Sequence, residues 1–207
     1  MGARRNSDGT ATLFLNHELV GTVESQPVVN GRILRGAFVS RYVLAGDGRS
    51  VLSGDLAYKS VFQDDTFVGP IATTANTTPA FTRFCSGSLS GREAGFDRPI
   101  YFASEESSTG TFSARGPQSV AIFRNNSGVG EAHALSRLGY FPWENALVSA
   151  RNDSLTVIMS MEDGPATLDN QLYMYVGKKQ RGGSVLSRNG LNNGALYAFR
   201  SSDLAKN

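Results

Sequence analysis

The chain has 207 residues, a formal net charge of +2 and only 18% charged residues. So few charges exclude a highly charged disordered chain, and so small a basic excess gives no electrostatic footprint for nucleic acid. No apolar run approaches the ~18 residues a membrane helix needs, and the 23 glycines follow no G-X-Y period, which excludes collagen.

In chain order, residues 1–10 read as a lead-in to a single domain spanning 1–207. They hold a twin arginine, Arg4-Arg5, followed by the polar run Asn6-Ser7-Asp8-Gly9-Thr10 rather than the apolar stretch of an export signal. The apolar pattern then starts at once, as in a chain entered in mid-fold. Short β-prone runs follow at 12–18, 37–44, 50–53, 61–62, 100–104, 120–123, 145–150, 156–161, 171–176 and 194–199. Clusters of Gly, Asn, Asp and Ser separate them. The turn at Arg151-Asn152-Asp153-Ser154 predicts a hairpin between the strands that flank it. Residues 56–62 and 131–138 are candidate helices. Segment 64–83 is rich in Thr, Asn and Pro, segment 86–98 in Gly and Ser, and both read as long loops.

Several segments share one pattern, an apolar strand closed by an acidic residue and then a polar loop. Leu15-Asn16-His17-Glu18, Ala103-Ser104-Glu105-Glu106 and Ser160-Met161-Glu162-Asp163 are examples. This recurrence fits divergent blades of a β-propeller at roughly 40–50 residues each, which predicts an all-β fold with an incomplete set of blades. A β-sandwich competes, but gives no reason for acidic strand ends to recur. An incomplete propeller has exposed edge strands, so self-association is expected.

Carboxylates at strand ends carry the candidate chemistry: Glu18, Glu105, Glu106, Glu144, Glu162 and Asp163. Converged, they would repel one another at low dielectric and call for cations; oxygen donors suit Ca²⁺. Cys85, the single cysteine, excludes an internal disulfide and any zinc site of paired cysteines. It reads either as a small buried hydrophobe or as a thiolate ligand for iron, copper or zinc. His17 reads as a structural residue or as a group orienting a carboxylate or metal. His133 has no evident partner. Lys178, Lys179 and Arg181 read as a solvated loop. There is no G-x-S-x-G elbow, P-loop or dinucleotide fingerprint.

The order of Asn16-His17-Glu18, Cys85-Ser86-Gly87, Ala103-Ser104-Glu105-Glu106, Leu138-Gly139-Tyr140-Phe141-Pro142-Trp143-Glu144 and Met161-Glu162-Asp163, with the aromatic strand at 172–176, resembles the PhoX-type alkaline phosphatases. The resemblance implies a six-bladed propeller, of which this chain is a partial or diverged member, and hydrolysis of a small phosphorylated substrate with calcium and iron as cofactors. It implies Cys85 as an iron ligand and Glu105 or Glu106, Glu144, Glu162 and, less directly, Glu18 as carboxylate ligands. It also implies a periplasmic or extracellular location. The sequence departs from the family where Ser104 and Trp143 stand in place of a Cys and a His, and where 88–98 replaces a Pro-Trp-Gly-Thr run. Those departures keep open a calcium-dependent lactonase or phytase-like esterase, and a non-catalytic binding propeller.

Overall fold

A computed structural model describes residues 1–25, 32–164 and 170–202. The chain is all-β among these residues, and its strands form three sheets. The first is an antiparallel meander of β1 (Gly2–Arg5), β2 (Ala11–His17), β3 (Phe38–Leu44) and β4 (Val51–Leu56). The third is a second meander, of β11 (Trp143–Val148), β12 (Leu155–Glu162), β13 (Leu172–Lys178) and β14 (Ala195–Ala198). Between them lies a meander of β7 (Phe84–Ser90), β8 (Ile100–Glu105), β9 (Ser119–Arg124) and β10 (Gly130–Ala134). The hairpin of β5 (Ser60–Gln63) and β6 (Thr66–Pro70) extends this middle sheet through a parallel pairing of β5 with β10.

The central strands β8 and β9 of the middle sheet are buried on both faces, and their side-chain alternation shows how. Tyr101, Ala103, Val120 and Ile122 pack with Phe38, Val39 and Phe14 of the first sheet. Their neighbours Ile100, Phe102, Ala121 and Phe123 pack with Trp143, Ala146, Ile158 and Tyr175 of the third. A strand covered on both sides is largely apolar, which is why Ile100–Ala103 in β8 and Val120–Phe123 in β9 stand out as continuous apolar runs. The outer face of the third sheet is open. Leu147, Met159, Met174 and Tyr197 are cross-strand neighbours in one row, and all four are exposed.

The ten predicted strands coincide with strands of the fold, and the predicted hairpin is the β11–β12 pair, with Leu147 opposite Met159. Both candidate helices are overturned. Residues 56–62 end β4 and enter β5, and 131–138 form most of β10 followed by a 3₁₀ turn at Ser136–Leu138. In β10 the alternation is strict: Ala132 and Ala134 enter the core while Glu131 and His133 share the opposite face. The two predicted loops hold strands as well, β6 in 64–83 and most of β7 in 86–98. Within the lead-in, Gly2–Arg5 is an edge strand paired to β2. No helix among the described residues is long and apolar enough to cross a membrane.

Candidate metal centre

Strand ends of the first and middle sheets meet at the backbone of Arg83. Its N–H donates to the Leu19 carbonyl at 2.7 Å, just beyond β2. Its carbonyl accepts from Cys85 N–H and Glu106 N–H, both at 2.9 Å, which joins the start of β7 to the end of β8. To make these bonds Arg83 adopts a left-handed backbone with φ of 45°, a conformation that costs a non-glycine residue about 1–2 kcal/mol. Asn16 reinforces the junction. Its side chain donates to the Ser86 carbonyl at 2.9 Å and accepts from the Tyr101 hydroxyl at 2.7 Å. A Cβ on Gly87 would collide with that hydroxyl, so the small residue that disguised β7 as a loop is the one that lets it approach β8.

Two groups of ligand-type side chains result, and Glu106 belongs to both. Glu18, Cys85 and Glu106 form one; Glu106, Glu144 and Asp163 form the other; within each, the donor atoms lie within 4.8 Å of one another. Cys85 and Glu144 both sit where strand register slips. The ladder skips from Phe84 to Gly87 in β7 and from Trp143 to Asn145 in β11. Such bulges re-aim a side chain out of the regular pleat. Asp163, just past β12, is held by its N–H on the Pro142 carbonyl at 2.9 Å.

The electrostatics is that of an anionic surface cluster. The Cys85 thiol is pushed up to about 12, first by its hydrogen bond to Glu106, then by burial and by the charges of Glu106, Glu18 and Glu144. Burial, then Glu106 and Asp163, raise the Glu144 carboxyl above its ordinary value. One counter-charge is built in. The Arg83 guanidinium pairs with Glu18 and Glu106, each at 3.1 Å, while its buried Nε has no partner among the described residues.

Of the six residues expected as ligands, Glu18, Cys85, Glu106 and Glu144 come together here. Glu105 does not. It is fully buried on the Tyr101–Ala103 face of β8, where its two oxygens accept the Thr82 and Gln118 N–H groups, each at 2.9 Å. Glu162 also stays out. It lies opposite Trp143 in the β11–β12 ladder and accepts a long hydrogen bond of 3.4 Å from the Tyr173 hydroxyl, and Asp163 enters the cluster instead. The expectation that Cys85 is either buried or a ligand resolves to an exposed thiol among carboxylates. His17 stacks on Phe38 at 4.0 Å and bonds Ser40 Oγ at 2.8 Å, outside both groups. His133 does have partners. It lies between the rings of Phe62 and Phe123 and bonds the Asp64 carbonyl at 2.7 Å and Glu131 at 3.2 Å.

Arg83 is the functional-type residue the sequence did not single out, and its signal is faint: a long cationic side chain two residues before the cysteine. No family model matches the chain, and no curated protein or solved structure matches it either.

Proposed function

We propose that this junction is a metal site in a partial β-propeller, and that its activity is metal-dependent hydrolysis of phosphomonoesters. The observation that carries the proposal is the meeting of Glu18, Cys85, Glu106, Glu144 and Asp163, drawn from three sheets, in two groups that share Glu106. The donor set fits the cofactors the resemblance to PhoX-type phosphatases implies. Glu106, Glu144 and Asp163 offer only oxygen, the donor class of Ca²⁺; the group with Cys85 adds a sulfur, which suits iron. The propeller reading is supported by a four-stranded meander in each of three sheets packed face to face, the middle sheet being extended to six strands by the β5–β6 hairpin. The exposed apolar row on the third sheet adds to it, since a further blade would cover such a face.

Bound metals supply positive charge to a phosphoryl group and an acidified water. The chain's own residues do the rest. The carboxylates on rigid strand ends fix the donor positions. To hold a metal, Cys85 would release its thiol proton to solvent, which would make binding pH-dependent. Arg83 orients Glu18 and Glu106 and holds a fixed positive charge beside them.

The test is turnover of p-nitrophenyl phosphate by protein supplied with Ca²⁺ and iron. Wild type should hydrolyse it and the Glu106→Gln variant should not. Equal rates in both, or none in either, would refute the proposal. Turnover that survives Cys85→Ser with Ca²⁺ alone would point to a calcium-only esterase. Arg83 favours a second reading, a non-catalytic binding module whose acidic cluster is closed by its own arginine. That reading expects neither metal uptake nor turnover.

A further inference from the structure

A second charged feature lies at the other end of the strands. Glu18 follows the last residue of β2, whereas Arg4 pairs with Thr12 near its start. Glu106 follows β8, whereas Arg98 and Pro99 precede it. Six or more residues of extended chain, roughly 20 Å, separate the two ends.

At this far end the first and middle sheets enclose a cleft of about 700 Å³, lined in part by Arg4, Arg5, Leu89, Arg92, Arg98 and Pro99. A recess of about 110 Å³ shares Arg4, Arg98 and Pro99 with it. Arg41 and Arg124 complete the cationic lining of the recess, Phe14, Phe123 and Ala57 give it apolar walls, and no carboxylate lines it. The whole chain carries only +2, so four guanidinium groups around one small recess are a segregation of charge, matched by the acidic cluster at the opposite end.

Two carboxylates line the wider cleft, Glu93, which accepts the Gly91 N–H, and Asp97, which is bound to one of these arginines. Asp97, on the cleft wall, pairs with Arg98 at 3.1 Å and with Arg188 at 2.8 Å. Asp55, opposite Arg41 in the β3–β4 ladder, also pairs with Lys59. Burial, then the charges of Arg124 and Arg4, lower the Arg41 pKa, with Asp55 acting the other way, so the neighbouring guanidinium groups repel one another as they stand. An anion placed among them would relieve that repulsion. Guanidinium forks match the oxygens of phosphate in pairs.

We propose that this groove binds a small oxyanion of the phosphate-ester class that carries a flat apolar group, its charged end among Arg4, Arg41, Arg98 and Arg124 and its ring against Phe14, Phe123 and Pro99. The site shares no residue with the acidic cluster and does not rest on the metal-site proposal.

The test is calorimetric titration of the full chain with phenyl phosphate and with inorganic phosphate, both in EDTA so that the acidic cluster takes no part. Phenyl phosphate should bind saturably and weaken as salt rises. Its affinity should exceed that of inorganic phosphate by about tenfold, the return on one buried apolar contact of about 1.4 kcal/mol. Arg41→Met should cut the affinity by about tenfold or more, and Glu106→Gln should leave it unchanged. Arg124→Met, at an exposed position, is the companion variant should Arg41→Met fail to fold. No saturable binding at millimolar ligand, equal affinity for the two anions, or arginine variants that bind like wild type would each overturn the proposal.

Discussion

Glu105 offers a sharp test of which adjacent carboxylate is structural. Its carboxyl is pushed up to about 7 from an ordinary value of 4.5, first by burial, with the Thr82 and Gln118 N–H groups acting the other way. A carboxyl raised on folding contributes stability that is fully present below its unfolded value and lost as pH rises through its folded value. Wild type should therefore lose stability between about pH 4.5 and pH 7 and level off above. The size follows from the displacement: at 1.36 kcal/mol per unit, the loss is about 3 kcal/mol. Glu105→Gln removes the titration. Its amide NH₂ faces one of the two backbone donors, so that donor loses its acceptor at a cost of about 1–3 kcal/mol, a cost that does not vary with pH. Urea unfolding of both proteins at pH 4.5, 6 and 8.5 should show wild type ahead at low pH, with its advantage shrinking by about 3 kcal/mol toward pH 8.5. A gap that stays constant, or widens with pH, would refute this account of Glu105. Metal affinity unchanged in Glu105→Gln would confirm that it stands apart from the cluster.

Further expectations concern the cluster and the core behind it. Although Cys85 is exposed, its thiol should react slowly with a disulfide reagent at pH 8 in metal-free protein, because its pKa is pushed up to about 12; Glu106→Gln should speed the reaction, and equal rates would contradict the assigned hydrogen bond. Arg83→Met removes a charge beside the cluster and should tighten Ca²⁺ binding by about tenfold, the repulsion of unlike valences at roughly 5 Å in a water-like dielectric; weaker binding in a calcium titration would show that Arg83 chiefly builds the site. Trp143, the only tryptophan, is fully buried and stacked on Phe141 at 4.2 Å. Its emission should be blue-shifted and shielded from acrylamide, and Trp143→Ala should cost about 3–5 kcal/mol in denaturant unfolding.

Much of the fold is legible because the central strands β8 and β9 of the middle sheet are largely apolar on both faces and the hairpin turns carry their own chemistry. What stays hidden has physical reasons. The strand β7 is masked by its serines and by Gly87, which stands where close approach to Tyr101 leaves no room for a Cβ. The strand β10 resembles a helix because Ala132, Ala134, Leu135 and Leu138 satisfy either period. Acidic strand ends point to the site, but the choice between neighbours depends on face. Glu105 continues the buried Tyr101–Ala103 face. Glu162 continues the buried face of Thr156, Ile158 and Ser160, whereas Asp163 continues the open face of Met159 and Met161. Parity within each strand carries that information; the bulges that aim Cys85 and Glu144 leave no mark in composition.

The most direct measurement is elemental analysis of protein purified without chelators, beside its Glu106→Gln counterpart. The proposed centre predicts calcium and iron retained by wild type and lost by the variant, since Glu106 serves both groups. Wild-type protein free of metal, or a variant that keeps the same metal content, would contradict it.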